Sequence, residues 1–156
     1  MRTSMFLLVG TILLASRVPS RADCQPCPKA KVKVTFVVIL ASEEGDAVDK
    51  RLKDIAEEVR KLNPNLKTFR LKTMTSKSLP PEEKGKFDTI DDKTTQITVR
   101  HGADKENRVS LAVTPPDQGE IVYRTVCGKF LPIVTRYQTK SKERLILAIR
   151  VQPCNE

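Results

Sequence analysis

Residues 31–41, KVKVTFVVILA, decide the fold. The stretch begins by alternating, with Val32, Val34 and Phe36 set against Lys31, Lys33 and Thr35. A period of two belongs to a strand with one buried face. From Phe36 through Leu40 every residue is apolar, and a continuous apolar run asks for burial on both faces. The stretch is therefore expected to be the central strand of a sheet.

Working outward, Ser42 to Asp46 (SEEGD) breaks the strand. A helix is expected over about 47–62. Its apolar residues Val48, Leu52, Ile55, Ala56, Val59 and Leu62 fall on one helical stripe. Asp46 or Asp49 can cap its first amides. Lys53–Glu57 and Glu57–Lys61 stand four apart on the wet side, and Asn63-Pro64 ends the helix. Beyond Asn65 the chain reads as strands and turns. Leu66 to Thr75 alternates, Pro80 to Gly85 is a loop, and Lys86 to Ile90 is a short strand. Thr95, Ile97, Val99 and His101 share one face of the next strand, and Val109, Leu111 and Val113 one face of the strand after it. Residues 121–127, 130–139 and 143–152 read as a three-stranded meander, with Leu145, Leu147, Ile149 and Val151 facing in. Pro132 belongs at an edge, because it cannot donate to a ladder. The expected class is α+β: a β-rich, antiparallel-dominated sheet or sandwich of about eight strands, with one amphipathic helix after the first strand. Val34, Phe36 and Val38 are expected to be buried together with Leu52, Ile55, Val59, Leu147 and Ile149.

The first 22 residues have the three parts of a secretion signal. Arg2 is the positive n-region, Met5 to Ala15 the apolar h-region, and Ser20-Arg21-Ala22 a cleavage site. The apolar run is far short of the roughly 20 residues of a spanning helix, so the cleaved chain is not expected to be an integral membrane protein. Residues 23–156 fit one domain. Three of the 28 basic residues lie in the leader and none of the 19 acidic ones, leaving a net charge of +6. A modest positive excess in an exported protein admits an envelope protein or an anionic surface polymer as partner. Nucleic acid is not expected, given that compartment, the absence of Trp and an aromatic content of 4%.

All four cysteines, Cys24, Cys27, Cys127 and Cys154, follow the leader. Cys24-Gln-Pro-Cys27 has the spacing of a redox dithiol, but that chemistry needs the first cysteine at a helix N-terminus after a strand. Here Pro28 and then a strand follow. In an oxidising compartment two disulfides are expected, and a zinc site made of the same four residues is the alternative. A bridge from Cys24 to Cys27 would close four residues and contribute roughly 2 kcal/mol, whereas one from Cys27 to Cys127 would close about 100 and contribute about 4.7 kcal/mol. Pairing of each of Cys24 and Cys27 with one of Cys127 and Cys154 is therefore favoured, in either arrangement.

Other candidates are thin. His101 is the one histidine, and a triad would need a nucleophile and an orienting carboxylate beside it. It is expected to end the inner face of its strand. Asp104 and Glu106 put oxygen ligands in a loop but lack the length and glycine of a calcium loop. There is no nucleotide-binding glycine motif, so no catalytic residue and no cofactor is expected. The stretches Thr114–Tyr123, Val126–Gln138 and Arg150–Cys154 resemble a group of small secreted bacterial proteins without a characterised activity. The resemblance implies a bacterial, exported chain and no ligand. The expectation is a secreted or periplasmic, non-enzymatic binding or structural domain. The alternatives are a metal- or thiol-handling protein using the four cysteines and an enzyme with a site near His101.

Overall fold

The computed structural model describes residues 31–153; the expected leader and Cys24, Cys27 and Cys154 lie outside the described residues. The deciding stretch forms β1 (Val32–Ser42). It lies between β2 (Thr68–Leu79) and β8 (Arg144–Pro153), antiparallel to both. With β7 (Phe130–Gln138) beyond β8, these strands make sheet A in the order β2-β1-β8-β7. Sheet B holds β3 (Lys84–Asp88), β4 (Thr94–His101), β5 (Arg108–Thr114) and β6 (Ile121–Val126) in sequential order. All six ladders are antiparallel. The one α-helix among the described residues, α1 (Lys53–Leu62), follows β1. The fold is the α+β, β-rich arrangement expected.

The double burial of β1 has a direct cause. Val32, Val34, Phe36 and Val38 point into a core shared by the two sheets, with Leu145, Leu147, Ile149 and Val151 of β8 and Ile97, Val99, Leu111 and Val113 of sheet B. Val37, Ile39 and Ala41 point the other way, against Leu52, Ile55, Ala56 and Val59. The molecule is thus three layers: α1, sheet A, sheet B. The residues expected to be buried together are all buried, but in two cores rather than one, because alternate residues of β1 serve opposite faces.

The helix is shorter than the stripe suggested. Val48 does not join it but bridges Phe69 of β2. Asp49 caps a single 3-10 turn, Lys50–Leu52, that leads into α1. Asn63 ends the helix in an extended conformation, its N–H still bonded to the Val59 carbonyl at 2.8 Å; Pro64 imposes that conformation on it. Lys61 pairs with Glu58 at 2.6 Å rather than with Glu57.

The expected three-stranded meander is a correction. β7 and β8 pair as a hairpin, but β6 pairs with β5 in the other sheet. The chain changes sheet over Cys127-Gly128-Lys129. Gly128 takes φ +82° and donates its N–H to the Val151 carbonyl at 2.8 Å, while the Cys127 N–H reaches the Asn107 carbonyl at 2.8 Å. A three-residue connection reads like a hairpin loop, but this one is a corner. The loop expected at Pro80–Gly85 is also shorter: β3 begins at Lys84. Gly85 belongs there because an added Cβ would stand 2.7 Å and 2.8 Å from the two methyls of Leu79.

Candidate functional site

The two sheets differ in what covers their outer faces. α1 covers sheet A. Among the described residues no element covers the outer face of sheet B, and its composition follows from the ladder. Ile97 and Val99 of β4, and Leu111 and Val113 of β5, point into the core. Their alternates therefore point outward. The register sets these alternates in rows: Lys84, Thr98, Ala112 and Val122 in one, Lys86, Gln96 and Thr114 in the next. Thr98 and Ala112 form a low floor, buried beneath their longer neighbours.

His101 corrects an expectation. It was expected on the inner face with Val99, but the ladder slips there. Val99 pairs with Leu111 and His101 with Ser110, leaving Arg100 as the extra residue of a β-bulge. A bulge advances the side-chain phase by one residue. His101 is therefore exposed on the outer face, in a row with Ser110 and Arg124. Arg100 is exposed beside it and reaches Glu120 at 2.6 Å. The face so collects Lys84, Lys86, Arg100, His101 and Arg124, against Asp88 as the acidic residue of these strands' outer positions. Among the described residues no carboxylate ion-pairs with Lys84 or Lys86, while the Arg124 charge acts on the Asp104 carboxyl.

His101 makes no side-chain hydrogen bond with Ser110 or with a carboxylate among the described residues, so the nucleophile–base–carboxylate chain of a hydrolase is not assembled. Asp104 and Glu106 are engaged by their own loop. Asp104 accepts the N–H groups of Glu106 and Arg108 at 2.9 Å and 2.8 Å and the Arg108 guanidinium at 3.2 Å; Glu106 also pairs with Arg108. The Arg108 amide and guanidinium hold the Asp104 carboxyl below the usual carboxylate range. These oxygens hold the turn together. Among the described residues no group of three or more His, Cys, Asp or Glu side chains could hold a metal ion. A groove of about 530 Å³ runs between α1 and the start of β7, where Arg150 lies 4.8 Å over the Phe130 ring. Carboxylates of α1 and the cations Lys129 and Arg150 line it together, so its charge is mixed.

Cys127 is half-buried at the rim of the inter-sheet core. It sits at the end of the molecule where Val32 pairs with Pro153; Val32 follows Cys27 by five residues and Pro153 directly precedes Cys154. Nothing in the sequence signals the basic face as such. Its basic residues come from three separate strands, and only the pairing register gathers them. No protein-family model, no curated protein and no solved structure matches this chain.

Proposed function

We propose that this is an exported, non-enzymatic binding domain whose recognition surface is the outer face of sheet B, and that its ligand is an anionic polymer of the cell envelope or exterior. The carrying observation is the asymmetry of the two sheets. One outer face is sealed by a helix, and the other is uncovered and bears Lys84, Lys86, Arg100, His101 and Arg124 around a low floor of Thr98 and Ala112. A flat face with spaced cations suits a chain of repeating negative charges, and it attracts such a chain before contact. The leader-like residues 1–22 support export. So do the four cysteines, proposed as two disulfides that close in an oxidising compartment. Among the described residues no helix is long and apolar enough to cross a membrane.

Retention of the mature chain on immobilised polyphosphate, a polyuronate and a neutral glucan tests this reading. The chain should bind the two polyanions and pass through the neutral column. The triple variant Lys84→Ala, Lys86→Ala, Arg124→Ala should bind at least about tenfold more weakly, with the difference shrinking as salt is added. Equal retention of variant and parent would refute the assignment of this face. Retention on the neutral polymer alone would refute the charge argument.

A further inference from the structure

Among the described residues the sandwich has four sheet edges, and three carry features that discourage an added strand. β2 has a bulge at Lys72, where Val38 pairs with Thr73 but Ile39 with Leu71, and it carries Lys77. β3 is five residues long with Lys84 and Lys86. β7 contains Pro132. Lysines, bulges, short strands and proline are the devices by which proteins keep edges unpaired. β6, Ile-Val-Tyr-Arg-Thr-Val, has no lysine, proline, glycine or bulge. It also holds three of the five exposed large apolar residues among those described: Ile121 at 37%, Val122 at 61% and Val126 at 40% exposure. Its open backbone can be assigned. Cys127 donates to Asn107, and antiparallel ladders bond alternate residues to a given neighbour. The peptide groups of Val122 and Arg124 therefore turn away from β5.

We infer that β6 pairs with β6 of a second copy of this chain, antiparallel about a two-fold axis through Tyr123. That register sets Val122 opposite Arg124 of the second copy and Ile121 opposite Thr125. It matches outward peptide groups to outward peptide groups and never opposes the strand's one charge with itself. A second copy suits this edge better than an anionic polymer does, because the edge offers backbone donors and acceptors and apolar side chains rather than unpaired charge. The contact is small beside the roughly 1,200 Å² at which stable interfaces begin, so the dimer is weak and concentration-dependent. It would join two B sheets into one eight-stranded surface and double the cationic face, so that two weak contacts with one polymer act together. The pairing itself does not depend on what that face binds.

Sedimentation of the mature chain without ligand, from low-micromolar to millimolar concentration, is the test, with amide exchange measured across the same range. The mass should rise toward twice the monomer. The Val122 and Arg124 amides should gain protection with concentration while the other edges stay unchanged. Val122→Lys, which adds an edge lysine, and Arg124→Pro, which removes an outward N–H, should each hold the chain monomeric. If either variant misfolds, the exchange pattern of the parent chain decides. A monomer at every concentration, or a dimer without added protection at Val122 and Arg124, would overturn the inference.

Discussion

Asp49 accepts the Arg51 backbone N–H at 3.0 Å and holds the same residue's guanidinium through both oxygens, at 3.1 Å and 2.8 Å. The side-chain bond, with the amide bond behind it, lowers the carboxyl from 3.8 to about 2. A depressed carboxylate stabilises the fold above its unfolded value, and that contribution disappears as pH falls through the folded one. Asp49→Asn should therefore lower the melting temperature near neutral pH, and the gap between variant and parent should close between about pH 4 and pH 2. A carboxyl titration in the intact protein with its midpoint at the ordinary 3.8 would rule this account out. Asp49 was legible as one of two candidate caps, beside Asp46, because Asp near the start of a helical stripe has that role; the structure uses Asp49. His101 was not legible. A bulge leaves no mark on alternation until the partner strand is known, and the partner, Ser110, lies beyond an intervening loop.

Among the elements, β1, β8 and the helix stripe could be read because each contains enough apolar residues to fix a period. Leu147 is fully buried between the sheets. Leu147→Ala should cost about 2–5 kcal/mol, the range for a leucine deleted from a packed core. An unchanged denaturation midpoint would show that the inner face of β8 had been misassigned. The partnership of β6 was hidden by its connection. Three residues between two strands favour a hairpin locally, and only Gly128 bonding to Val151 reveals the corner. The start of the helix was misplaced for a related reason. Val48 lies in phase with the stripe, yet the bond from the Asp49 N–H to the Phe69 carbonyl at 3.0 Å holds this segment against β2. Tertiary hydrogen bonding outweighs the weak preference of one turn for helix.

At the scale of the whole molecule, the cysteine framework is the largest stabilising contribution proposed. Reduction should lower unfolding free energy by about 2–5 kcal/mol, as for native bridges of small secreted domains. Mapping of unreduced peptides should give one link from Cys127 to Cys24 or Cys27 and a second from Cys154 to the other. A Cys24–Cys27 link would sink the long-range pairing and revive a redox role, and four thiols holding zinc would make the cluster a metal site.

The central position of β1 has a consequence for timing. Its partner on one side is β2, made soon after it, but its partner on the other side is β8, the last strand of the described chain. Sheet A cannot close until residues 144–153 have arrived, and both cores draw on β8. Contacts that span nearly the whole sequence also form slowly. A chain threaded through a membrane pore must stay open until its end has passed. For a chain exported as proposed, this topology would supply that delay: of the described strands, the one that completes sheet A comes last in sequence.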